Sequence, residues 1–131
     1  MARAHAHIAA ARYRTDIRAG THDLVADEGA ALGGANTGPA PYELLLAALG
    51  ACTAMTLKMY AERKGWPLET LEVDLAYLKS EEATRIDRRL SLEGPLDEDQ
   101  RARLADIAER TPVTLTLKGG VPIVTHLQPI R

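Results

Sequence analysis

Residues 41–64 read PYELLLAALGACTAMTLKMYAERK, and this stretch decides the fold. Pro41 suits a first helical position, where its missing N–H is no loss, and Glu43 sits in the positive first turn. Arg63 and Lys64 fall in the last turn, with Gly65 as the C′ residue and Pro67 just beyond. Between these signals leucine, alanine and methionine cover nearly the whole circumference, so the helix must be buried all round. A chain of 131 residues struggles to do that alone, and a partner subunit is expected. Gly50 and the alanines would let another backbone approach closely.

Upstream, 5–27 carries β-compatible runs at Ile8–Ala11, Tyr13–Ile17 and Asp23–Ala26, punctuated by Arg18-Ala19-Gly20. They read as two or three short antiparallel strands. Residues 29–41 hold Gly29, Gly33, Gly34, Gly38, Pro39 and Pro41, a density that marks a loop. Downstream, Leu71, Val73, Leu75 and Tyr77 alternate with polar positions, as do Ile86, Arg88, Leu90 and Leu92. The two runs, Leu68–Leu78 and Arg85–Leu92, predict a hairpin around 79–84. Asp97 can cap a second helix running to about Arg110. Thr111-Pro112 breaks it, a short Val113–Leu117 segment follows, and Gly119-Gly120 leads into a closing strand over Val121–Leu127. Strands, long helix, hairpin, helix and strand make a single α+β domain over 1–131.

Composition bounds the chemistry. A net charge of −2 gives no electrostatic footprint for nucleic acid. Arg85, Arg88 and Arg89 cluster, but Glu81, Glu82 and Asp87 sit among them, and a solvated strand face is expected. The N-terminus lacks the continuous apolar core of a signal peptide, and no charge-free run of about 20 apolar residues appears. A cytoplasmic protein without membrane association is therefore expected. His5 and His7 alternate as strand neighbours would, and His22 and His126 stand alone, so no metal site is expected. The glycine-rich loop lacks a phosphate-binding pattern, and no cofactor is expected.

Cys52 is the only cysteine, so no intramolecular disulfide can form. It lies roughly three turns inside its helix, too deep for that helix's own dipole to help it ionise. Taken alone, this position favours a buried structural thiol. Arg18 offers the opposite reading, an always-charged guanidinium able to hold a thiolate or an oxyanion.

The run from Gly33 to Leu57 closely resembles the osmotically inducible protein C (OsmC) and organic hydroperoxide resistance family. The Trp66-Pro67-Leu68-Glu69 exit, the strand pair, the Gly94-Pro95-Leu96 turn and the segment from Glu109 to Val113 extend the resemblance across nearly the whole chain. It implies an OsmC-like fold, antiparallel sheets packed around long central helices in an intertwined homodimer. It also implies a stress-response thiol peroxidase acting on organic hydroperoxides. Cys52 takes the place of the peroxidatic cysteine, and Arg18 resembles the family's arginine. Two positions depart from the pattern. Thr111 stands before Pro112-Val113, where the family has its resolving cysteine. The usual Asn-Pro-Glu start reads Ala40-Pro41-Tyr42, with the carboxylate at Glu43, about 100° further round the helix.

Three readings follow for this redox-like protein. Cys52, Arg18 and Glu43 form the catalytic set of a one-cysteine hydroperoxide reductase resolved by an external thiol. Alternatively, a non-catalytic dimer binds a small apolar or acyl ligand. In the third, Cys52 is core packing.

Overall fold

The computed structural model describes Met1–Pro129. The chain runs β1 (Ala4–Ile8), β2 (Thr15–Ala19), β3 (His22–Ala26), α1 (Pro41–Lys64), β4 (Thr70–Lys79), β5 (Thr84–Glu93), α2 (Glu98–Ala108) and α3 (Pro112–Gly119). It is an α+β fold with two small antiparallel sheets, β1-β2-β3 and β4-β5. Two compact units emerge, one of 1–48 with 76–86, the other of 49–75 with 87 onward.

In the first unit, three strands pair in sequence order, with Ala4 opposite Ala19 and Arg18 opposite Asp23. The first strand begins earlier than the apolar run Ile8–Ala11 implies. Ala9–Ala11 instead lies in the connection to β2, because the β1 register closes at Ile8–Thr15. Arg18 belongs to β2 rather than to the turn, and Gly20 (φ 60°) makes the reversal after it. The glycine-rich loop follows, with one 3₁₀ turn at Ala30–Leu32. It is organised by buried Asp27. The Asp27 carboxylate accepts the Glu28 N–H (2.7 Å), the Thr37 N–H (3.1 Å) and the Thr37 hydroxyl (2.7 Å). Gly38 is required there, since a β-carbon would lie 2.2 Å from the Val25 carbonyl oxygen.

Helix α1 spans the residues its end signals imply, and Gly65 closes it at φ 71°. By length and composition alone it could cross a membrane. Leu49, Thr53, Leu57 and Ala61, spaced four apart, nevertheless form a stripe buried within the second unit. What approaches Gly50 is the Leu75 side chain, whose Cδ1 would meet a β-carbon at 2.9 Å. The second unit's core joins Leu57 and Ala61 to Leu68, Leu96, Leu104 and Ala108, with Tyr60, Trp66, Leu71, Leu90, Leu92 and Ile107 packed against it. Asp97 caps α2 through a reciprocal bond pair with Gln100.

Two expectations fail here. Val121–Leu127 takes no strand conformation; Ile123 and Leu127 are exposed. Apolar alternation describes a face, but a strand also needs a neighbour to complete its hydrogen-bond ladder. Arg88 is not on a solvated face, because its side chain is only 12% exposed. It shares the inward side of β5 with Leu90 and Leu92, both partly buried.

Candidate functional site

The site grows from the start of α3. Thr111 is the N-cap residue and Pro112 follows inside the first turn. A threonine at this position ordinarily accepts an N–H of the first turn through its hydroxyl. Thr111 makes no such bond. The Val113 N–H donates instead to Cys52 Sγ, at 3.5 Å. The Thr111 hydroxyl pairs with the Thr114 hydroxyl instead. An amide that a cap side chain would normally satisfy is thus turned toward the sulfur atom.

Cys52 is partly buried and free. On its own helix, Thr56 Oγ1 lies 3.9 Å from the sulfur. Burial pushes the thiol up, but the Val113 amide, the Thr111 and Thr56 hydroxyls and the Arg88 charge together bring it below its ordinary value. The dipole of α1 is out of reach for this residue, and the N-terminus of α3 replaces it.

Behind the threonines lies Arg88. Its Nη1 donates to Thr53 Oγ1 (3.0 Å) and Thr114 Oγ1 (2.8 Å), and its Nη2 to the Ala108 carbonyl (2.8 Å) and Glu109 Oε2 (3.4 Å). One guanidinium thus joins α1, the end of α2 and α3. Glu109 also accepts from Lys118 Nζ at 2.7 Å, and that bond first, with Arg88 behind it, holds its carboxyl below the usual range. Thr111 and Thr114 touch each other at 2.6 Å between hydroxyl oxygens.

The other two sequence candidates are engaged locally. Arg18 Nη1 bonds the Asp23 carboxylate at 2.9 Å, across the β2–β3 pair. Glu43 Oε1 accepts the Ala40 N–H at 2.9 Å and so caps the start of α1. Arg88, Thr114 and the Val113 amide are the members that sequence reading missed. Alternation already placed Arg88 among inward apolar positions, and that was the signal available. Among the described residues, no group of three or more His, Cys, Asp or Glu is placed to hold a metal ion.

Solved structures repeat this fold. An OsmC-like protein of Mycoplasma pneumoniae superposes with TM-score 0.77 at 19% identity, covering 91% of this chain and 88% of that one. The organic hydroperoxide resistance protein OsmC of Legionella pneumophila gives 0.65 at 20% identity, over 91% and 90%. The organic hydroperoxide resistance protein OhrB of Bacillus subtilis gives 0.62 at 23% identity, over 91% of each. A comparison with curated protein sequences finds no match. The family model for OsmC-like proteins matches residues 33–126, which takes in Cys52, Arg88 and the start of α3, and the chain belongs to that family.

Proposed function

We propose that this protein reduces organic hydroperoxides with Cys52 as its one redox-active thiol and an external thiol as reductant. The observation that carries the reading is the placement of Cys52 Sγ against the Val113 N–H at a helix start, which favours the thiolate. The relatives named for hydroperoxide resistance support the substrate class.

The thiolate attacks the distal peroxide oxygen, the O–O bond breaks, and the alcohol leaves after taking a proton. Cys52 becomes a sulfenic acid. With no second cysteine in the chain, an external thiol condenses with it, releasing water and leaving a mixed disulfide. A second thiol then displaces Cys52 and carries away the disulfide product. Such thiols are kept reduced in the cytoplasm, which is where this reading puts the protein. The family resemblance assigns Arg18 and Glu43 to the same chemistry, and the reading stands without either.

The working unit we propose is a homodimer. Support comes from α1, where Met55 and Met59 are 59% and 57% exposed although the helix is apolar all round.

The decisive experiment is thiol-dependent consumption of cumene hydroperoxide by wild type and Cys52→Ser, with several reductants offered. Turnover lost in the variant supports the proposal. Equal, background-level rates with every reductant exclude it and leave the non-catalytic ligand-binding dimer or the structural thiol.

A further inference from the structure

We propose that Arg88 is the positioning residue of the site: its guanidinium pins the start of α3 to α1, so that the Val113 N–H meets Cys52 Sγ. This role deepens the proposed function and rests on Cys52 as its reactive thiol.

The Val113 N–H reaches the sulfur at 3.5 Å from a separate helix, and neither helix by itself sets that distance. Arg88 Nη1 bonds the very next residue on each side, Thr53 Oγ1 at 3.0 Å and Thr114 Oγ1 at 2.8 Å. A single nitrogen thus ties α1 to α3 one residue beyond the contact on both helices. Thr53 is fully buried and Thr114 nearly so, which keeps solvent from competing for these bonds. Thr53 is also fixed within α1, since its hydroxyl donates to the Leu49 carbonyl at 2.7 Å. On the other side, Nη2 donates to the Ala108 carbonyl at 2.8 Å, where α2 ends and the chain turns into α3.

Helix α3 needs such a tie. It has only eight residues and no side-chain cap at Thr111. So short a helix is marginal in water, and its place depends on what binds it. Its far end is held by Lys118 Nζ, which bonds the Glu109 carboxylate at 2.7 Å on the exposed surface, where ion pairs contribute little. Its start is held by Arg88, whose side chain is almost wholly buried. Burying a guanidinium is costly, and well-packed apolar residues often serve stability as well or better. What they cannot do is bond two threonines and a carbonyl from three elements through one planar fork. Glu109, which pairs with Arg88 at 3.4 Å, is itself well exposed, so charge pairing does not account for the burial. A purely electrostatic Arg88 needs only its charge, whereas positioning needs the fork as well, and substitution separates the two.

The test follows the thiol by iodoacetamide alkylation rate against pH, and the Val113 amide by its NMR resonance over the same range, both without peroxide. In wild type the Val113 resonance should shift as the thiol titrates; a resonance indifferent to it would remove the contact and the proposal together. Arg88→Lys keeps the charge and loses the fork. It should lower the thiolate fraction at neutral pH by about three- to tenfold and uncouple the Val113 resonance from the thiol. Leu104→Ala, a core variant outside the contact, should lose stability yet keep both wild-type profiles. Wild-type profiles in a folded Arg88→Lys would mean that charge alone suffices and would overturn the proposal, as would a Leu104→Ala profile displaced as far as that of Arg88→Lys. If Arg88→Lys does not fold, Thr114→Val and Thr114→Ser decide. A displaced valine variant beside a wild-type-like serine variant supports the role, and matching profiles in the two overturn it. Positioning that passes in a protein without peroxidase turnover would sink the proposed function alone.

Discussion

The backbone N–H of Val113 donates to Cys52 Sγ across 3.5 Å, although the two residues lie 61 positions apart. A mid-helix thiol thereby receives the start of a different helix. This one contact turns Cys52 from a packing residue into a candidate nucleophile, and the predictions below depend on it or on the scaffold that holds it.

Cys52 should ionise below the ordinary thiol value, and that preference should appear in stability. The folded thiol is depressed relative to an unfolded value near 9.0. Its contribution is therefore complete above the unfolded value and is lost as pH falls through the folded one. Denaturant midpoints of wild type and Cys52→Ser at about pH 6 and about pH 10 should show wild type gaining on the variant with rising pH. A gap that stays constant or narrows would mean that the sulfur is not stabilised as a thiolate.

Restoring a thiol at the helix cap should create an oxidisable pair. Thr111 is buried two residues before Val113, whose N–H bonds Cys52 Sγ, so Thr111→Cys should place a second sulfur near the first. One equivalent of peroxide should then yield an intramolecular 52–111 disulfide, seen as loss of two hydrogens by intact mass and as a cross-linked peptide. Progressive oxygen addition without that bond would show that the α3 start does not face Cys52.

Gly94 should tolerate no side chain. Its φ is 134°, and an added β-carbon would sit 2.1 Å from the Pro67 carbonyl oxygen. Gly94→Ala combines backbone strain with a clash against backbone and should cost at least about 2 kcal/mol. Leu104→Ala, at a fully buried position, should cost about 2–5 kcal/mol. Chemical denaturation measures both, and an unperturbed Gly94→Ala would contradict the close approach at the end of β5.

Light scattering should give wild type about twice the 14.2 kDa chain mass, with Met55→Glu and Met59→Glu falling to one chain. A charge buried at an apolar contact has no partner there. A wild type that stays at 14.2 kDa at every concentration would remove the homodimer from the proposal.

Much of this architecture was legible from local chemistry. The ends of α1, the Asp97 cap, the hairpin and the N-terminal strands follow from proline, glycine, charge and alternation, all of which act within a few residues. The Val121–Leu127 strand was misread because its partner is not specified by its own pattern. Arg88 was misread for a related reason. Its acidic sequence neighbours argued for solvent, while the groups that bond it, Thr53, Thr114 and Ala108, come from distant parts of the chain.

Taken alone, the sequence determined that the chain is α+β, that α1 runs from Pro41 to Lys64, and that it holds a single cysteine. The family resemblance adds only an expectation, that Thr111 takes the place of a resolving cysteine. Only the tertiary structure decided what Cys52 experiences. Thiol acidity depends on dipoles and charges within a few ångströms, and here those come from α3 and β5, brought together by packing rather than by sequence proximity.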